Sequence, residues 1–299
     1  MKRFKAVFKL TRIEHSIMLI IAVIAAEMLA GAALNMQTVV LSIIPPIFIS
    51  AGAFVINDYY DIKTDKANGE LDRPLVAGTI SKRGALEIYF TCNFIGIVSS
   101  LFLGLPAFTI VIIFAALSFL YSSWLKTTLL LGNAYIAFSM VIPFIYGSYI
   151  VSNSINVQIT SICTLIFLAG LAREIHGSVR DYHGDSAERK SKNIVYYLGE
   201  YGSSAFALVL YLMAIGISIF MLNYPPFGGN IVYIFPIAVT DIALLYISIG
   251  YLVFKPWAGA SGKKGKEFIH LSRNLSLGVM ALSIIAFLLA VLVRIPIIL

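Results

Sequence analysis

The chain has 299 residues, 59% of them hydrophobic and only 12% charged. Soluble domains carry about a quarter charged residues, so this deficit excludes a soluble globular domain and places the chain in lipid. The formal charge of +7 does not point to nucleic acid, because the basic residues lie between apolar runs, where membrane topology puts them.

Apolar runs of helix-spanning length recur from end to end. Strands of a membrane barrel would alternate in polarity over about ten residues. The run Ile110-Val-Ile-Ile-Phe-Ala-Ala-Leu-Ser-Phe-Leu120 is instead apolar on every face. Helices satisfy their own backbone within lipid, so the pattern predicts an all-α integral membrane protein. Nine spans are expected, near 13–34, 38–57, 84–104, 106–124, 128–150, 157–178, 201–222, 231–254 and 272–294. The first is too long for a cleaved signal and is followed by others, so it is read as a span. Residues 1–299 are read as a single transmembrane domain. Cys92 and Cys163 both lie inside apolar runs and are read as small buried hydrophobes.

The connectors alternate in character. With nine spans, 21 of the 22 Lys and Arg residues fall on one side of the membrane and only Arg294 on the other. The positive-inside rule makes the crowded side cytoplasmic, with the N-terminus inside and the C-terminus outside. Basic residues such as Lys63, Lys66, Lys82 and Lys263–Lys266 suit contact with anionic membrane lipid.

The carboxylates crowd the same side. Asn57-Asp-Tyr-Tyr-Asp61-Ile-Lys-Thr-Asp65 closes the second span, and Asp181-Tyr-His-Gly-Asp185 closes the sixth. If the helix continues, Asn57, Asp61 and Asp65 share one face at i, i+4 and i+8, and Asp181 and Asp185 do so at i and i+4. Carboxylates so spaced repel one another and call for a cation. An oxygen-only ligand set suits Mg²⁺, whose shell substrate phosphate commonly completes. Arg73 in Asp72-Arg-Pro74 and Lys126 in Tyr121-Ser-Ser-Trp-Leu-Lys126 are the nearby groups suited to phosphate. Arginine offers it a planar fork and lysine a point charge. Such a cluster above an apolar bundle suits an amphiphile with a diphosphate head and a hydrocarbon tail. Single acidic pairs at helix ends are usually just solvated. Two pairs, each closing an apolar helix beside basic residues, favour a site.

With these residues in view, the chain resembles the UbiA superfamily of intramembrane prenyltransferases. Asn57-Asp-x-x-Asp61-x-x-x-Asp65 followed by Asp72-Arg-Pro74 is similar to its first signature. Asp181-x-x-x-Asp185 is similar to its second, and Tyr121 to Lys126 followed by Gly132-Asn133 to its Tyr…Lys segment. The resemblance covers essentially the whole chain. It implies nine helices around a central cavity and Mg²⁺ held by Asn57, Asp58, Asp61, Asp181 and Asp185. It also implies catalytic roles for Asp61, Asp65, Tyr121 and Asp185, and substrate contacts from Arg12, Arg73, Lys126 and Asn133. Asn57–Ser81, Tyr121–Asn133 and Ile145-Tyr-Gly147 look most like archaeal digeranylgeranylglyceryl phosphate synthases. That likeness implies geranylgeranyl diphosphate as donor and geranylgeranylglyceryl phosphate as lipophilic acceptor. Gly177 and Ser178 stand where Lys and Asp are expected, and Arg12-Ile-Glu-His15 lacks an expected Arg-Pro pair. An aromatic acceptor, as in quinone synthesis, is the alternative reading.

A secondary transporter would also have many helices and buried acids, here Glu27 and Asp241. Transport sites lie near the midplane, whereas most carboxylates here sit at one face. Glu27 and Asp241 are expected to make structural hydrogen bonds to neighbouring helices.

Overall fold

The computed structural model describes all residues except 1, 33–34, 68, 129, 153, 190–192, 255–262 and 295–299. The side chains of residues 2–3, 127, 181, 183–189, 263–266 and 294 also lie outside the described part. The described residues contain helices and connecting turns but no strand, and form two compact units, residues 1–126 with 146–154, and residues 127–145 with 155–299.

The first unit contains α1 (Lys2–Thr11), α2 (Ser16–Leu29), α3 (Met36–Ala67), α4 (Lys82–Ser100) and α5 (Leu105–Ser123). It also takes in the end of α6 (Leu131–Val151). The short α1 was not expected from hydropathy. It buries Ala6 and Leu10 against Val55, Ile56 and Tyr89 and leaves Phe4 and Phe8 exposed. Arg12 then takes a left-handed backbone (φ 45°) and ends it.

The expected first span is therefore shorter than drawn. A 3₁₀ turn (Ile13–His15) precedes α2, whose 14 residues reach about 21 Å, short of the roughly 30 Å hydrocarbon core. Among the described residues eight helices are long and apolar enough to cross a membrane, and the short α2 stands where the first of the nine spans was expected. At most half of each apolar stretch is buried inside protein, and the rest is apolar surface suited to lipid.

In α3, 32 residues extend about 48 Å, well beyond the hydrocarbon thickness. The excess carries the first acidic motif as intact helix past the apolar stretch. Small residues let membrane helices approach closely, and Gly96 on α4 does so against α3. A Cβ there would stand 2.9 Å from Ile49 Cδ1 and 3.2 Å from the Pro45 carbonyl oxygen. Gly96→Val should therefore overpack this contact and cost about 1–3 kcal/mol, read as a lowered thermal midpoint in detergent. The N-terminus of α4 is capped by Ser81, whose Oγ accepts from the Gly84 N–H at 3.0 Å, the usual device for an orphan donor.

The second unit contains the first part of α6, then α7 (Val157–Arg189), α8 (Ile194–Met221), α9 (Ile231–Phe254) and α10 (Lys263–Arg294). Its core gathers Ala172, Ile175, Val179, Tyr211, Ile247, Tyr251 and Phe268. Asn193 caps α8, its side chain accepting from the Val195 and Tyr196 N–H groups. Gly199 breaks the first turns of α8 with φ 66°, a conformation glycine takes without steric cost. Asp241 on α9 accepts from Ser218 Oγ on α8 at 2.7 Å, the interhelical bond expected of it. Glu27 on α2 is buried and its side chain hydrogen-bonds Ser42 on α3, while its Oε1 has no partner among the described residues.

Candidate active site

Because α3 runs unbroken to Ala67, Asn57, Asp61 and Asp65 do line one helical face. Asp58 flanks that stripe. Each of the three aspartates meets a cation brought from elsewhere in the first unit.

Asp58 is 3% exposed. Its Oδ1 accepts from Arg12 Nη2 at 2.7 Å and from Arg73 Nη1 at 3.2 Å. The same Arg73 Nη1 donates to Asp65 Oδ2 at 2.9 Å, so one guanidinium bridges two carboxylates a helical turn or two apart. Arg12 reaches this point from the break between α1 and α2, with its guanidinium carbon 5.0 Å over the Phe54 ring. The loop that presents Arg73 is built rather than loose. The Glu70 N–H donates to the Asp65 carbonyl, Ala77 N–H to Arg73 and Ile80 N–H to Pro74, while Leu75 and Ile80 are buried. Lys9 on α1 pairs with Asp72. Its charge and hydrogen bond hold the Asp72 carboxyl below the usual carboxylate range.

Asp61 pairs with Lys126 Nζ at 2.6 Å, both side chains 13% exposed. Lys126 sits in the 3₁₀ turn Leu125–Thr127 that follows α5. Tyr121, half-buried, lies one turn earlier on α5. The stripe thus faces three cations, which offset the repulsion its spacing creates. Among the described residues no three His, Cys, Asp or Glu side chains group closely enough to hold a metal ion by themselves. The donors nonetheless fit Mg²⁺. Asn57 and Asp61 offer hard oxygens, and the Asp61–Lys126 pair shows that this carboxylate takes a cationic partner.

In the second unit α7 continues to Arg189, so Asp181 and Asp185 stand at i and i+4 of intact helix. Their side chains lie outside the described residues. Asn133 on α6, expected to contact substrate, donates from Nδ2 to Ser178 Oγ at 2.9 Å. Serine at 178 is thus a hydrogen-bond partner between two helices. The face of Gly177 is covered by Arg180, whose Nη2 would stand 3.9 Å from a Cβ there.

Sequence reasoning missed two features of α7. His176 is buried and stacks on Tyr251, with ring centroids 4.0 Å apart and planes 3° apart. Neither ring nitrogen has a hydrogen-bond partner among the described residues, and nothing in the local pattern signals this. Arg173, counted at first only as a topological charge, lines an apolar cavity; its position inside an apolar span was the available signal.

A helical membrane protein that ends one long span in an acidic stripe, each carboxylate met by an Arg or Lys, defines an intramembrane site for a phosphate-bearing amphiphile. The UbiA prenyltransferase family profile matches residues 17–264, and the chain belongs to this family; it is a multi-pass membrane prenyltransferase. A digeranylgeranylglyceryl phosphate synthase of Archaeoglobus fulgidus is 31% identical over 292 residues, covering 96% of either chain. One from Thermococcus kodakarensis is 27% identical over 293 residues, covering 97% of this chain and 99% of that protein. Among solved structures, one of digeranylgeranylglyceryl phosphate synthase in membranes aligns with TM-score 0.76 and 25% identity, covering 97% and 99%. A UbiA homologue from Archaeoglobus fulgidus bound to GPP and Mg²⁺ shares the fold at TM-score 0.65 and 18% identity, covering 94% and 99%.

Proposed function

We propose that the enzyme moves a geranylgeranyl group from geranylgeranyl diphosphate to the free hydroxyl of geranylgeranylglyceryl phosphate. The observation that carries this reading is the acidic stripe of α3 with its matched cations. The names of the relatives that match over nearly the whole chain supply the acceptor.

Asn57, Asp61, Asp181 and Asp185 are the residues that would hold Mg²⁺. When bound, Mg²⁺ neutralises the departing diphosphate. Lys126 pairs with Asp61 in the structure, and its ammonium would meet a phosphate oxygen of the donor. Arg73 has further donors on its fork and meets the same diphosphate. Asp58, gripped by Arg12 and Arg73, acts by positioning those guanidiniums. The allylic C–O bond breaks with its electron pair leaving on the diphosphate. The ring of Tyr121 faces the carbon cation and stabilises it by roughly 0.5–2 kcal/mol. The acceptor hydroxyl oxygen, oriented by Asp65, bonds to the allylic carbon and loses its proton to the released diphosphate.

The deciding assay offers purified protein in detergent several radiolabelled prenyl diphosphates. The acceptors are the glycerol phosphate lipid, hydroxybenzoate and dihydroxynaphthoate. Magnesium-dependent transfer to the glycerol phosphate lipid is expected. Transfer only to an aromatic ring would overturn the acceptor. The split of basic residues supports a cytoplasmic side for both acidic motifs. Single cysteines in residues 69–79 and 186–192 should thus react with an impermeant thiol reagent only in inverted membranes. Labelling of the two segments from opposite sides would break the reading.

A further inference from the structure

The apolar run of α3 ends at Ile56, and the polar stripe begins at the next residue, Asn57. That step marks the depth at which hydrocarbon gives way to the membrane surface. Helix α1 lies at this level, because its buried Ala6 and Leu10 pack with Val55 and Ile56. A helix turns about 100° per residue, which divides the ten residues of α1 into sectors. Ala6 and Leu10 face the protein, with Val7 half-buried beside them. Phe4 and Phe8 carry the apolar band further around the helix. They are 74% and 49% exposed, with ring centroids 6.3 Å apart. Lys5 and Lys9 fill the remaining sector. The apolar face of α1 is thus wider than the protein covers.

Position and charge say what covers the rest. Beyond Arg12 the chain enters α2, whose first turn exposes another apolar side chain, Ile17. The Phe pair therefore continues the lipid-facing surface of the first unit. Aromatic residues beside a lysine sector, at the edge of the hydrocarbon, form the pattern of a helix lying in a membrane surface. With Lys2, Arg3, Lys5 and Lys9 and no acid, α1 is strongly basic, so the headgroups that suit it are anionic. Lys9 pairs with Asp72, which leaves the headgroup contact to the exposed Lys5.

The far end of α1 reaches the candidate site. Arg12 takes its left-handed backbone there, a conformation that a residue with a Cβ keeps only where its surroundings hold it. Its Nη2 meets Asp58 Oδ1 at 2.7 Å, and its guanidinium lies over Phe54. A shift of α1 would move that guanidinium on the stripe. We propose that α1 is an interfacial anchor. Phe4 and Phe8 insert among lipid chains, Lys5 meets anionic headgroups, and the seat so made holds Arg12 on Asp58.

Nitroxide labels on Phe4→Cys, Lys5→Cys and Phe8→Cys test the seat, each in the full chain with Cys92→Ala and Cys163→Ala. The vesicles are phosphatidylcholine with phosphatidylglycerol. Labels at 4 and 8 should collide more with oxygen, which enters lipid, than with an aqueous nickel chelate. The label at 5 should show the reverse. Aqueous exposure at all three positions would put the face in water. Shielding of 4 and 8 from both reagents would mean that a second copy or another protein covers them. Either result overturns the lipid assignment. In phosphatidylcholine alone, or with Lys5→Gln in the mixed vesicles, the labels at 4 and 8 should shift toward the aqueous reagent. No shift in either would overturn the headgroup contact. These arms need no substrate, so they fail or succeed apart from the acceptor assignment. The link to Arg12 is read from prenyl transfer in vesicles. The double variant Phe4→Ser, Phe8→Ser changes only exposed side chains and should slow transfer about 2–10-fold, the size of a coupling between contacting groups. Added to Arg12→Ala, the same two changes should cost nothing further. A full additional loss in that triple variant would overturn the link.

Discussion

Asp61→Ala should reduce prenyl transfer by about 10²–10³-fold, the usual cost of removing one preorganised electrostatic stabiliser. Asp61 stands in the middle of the α3 stripe, and its partner Lys126 lies 2.6 Å away at 13% exposure. Alanine removes a metal oxygen and strands an ammonium in a mostly enclosed place. The second effect could lower activity through stability alone, so the control is the double variant Asp61→Ala, Lys126→Ala. It removes the stranded charge, and its thermal midpoint should recover toward wild type. Its turnover should stay as low as that of Asp61→Ala, because the metal oxygen is still missing. Recovery of transfer in the double variant would show that Asp61 only neutralises Lys126, and the metal role would be lost. Lys126→Ala alone should weaken the donor diphosphate and leave Mg²⁺-dependent turnover slow but measurable.

Spans were legible wherever apolarity and helicity end together. The run at 231–254 matches α9, and 106–124 matches α5 within a residue. They diverge at the functional ends. Hydropathy stops the second span near Asn57, yet α3 continues ten residues further. Apolarity reports the bilayer, whereas the helix persists because cations from other elements offset its acidic face. The start of α8 was placed seven residues late because the break at Gly199 resembles a helix end from sequence. Charges at the N-terminus concealed α1, whose buried hydrophobic residues are Ala6 and Leu10. The α3 stripe itself was readable from its spacing of four. Its partners were only partly so: Arg73 and Lys126 stand out as motif residues, but the bond from Arg12 to Asp58 joins positions 46 apart, and no local pattern encodes it. The cavity at Arg173 needs five helices to exist, so no single stretch announces it.

Arg73→Ala should strongly destabilise the first unit. Its Nη1 bridges Asp58 and Asp65, whose side chains are only 4% and 9% exposed. Asp58 keeps Arg12 at 2.7 Å, so the uncompensated charge falls on Asp65. Removing one partner of a buried pair costs about 3–5 kcal/mol. The lower end applies here, because the Arg73 side chain is 27% exposed and water can enter the gap. Arg73→Lys should recover only part of this, since a single ammonium lacks the planar fork that lies between two carboxylates. The double variant Arg73→Ala, Asp65→Asn should be more stable than Arg73→Ala, because the buried charge has gone. A coupling above about 1 kcal/mol in that cycle identifies the pair. Donor affinity should behave differently. Both the single and the double variant lack the guanidinium, so both should show the same raised KM for the prenyl diphosphate. If the double variant regained donor affinity along with stability, Arg73 would be a structural clamp for α3 and Lys126 would carry the phosphate contact without it.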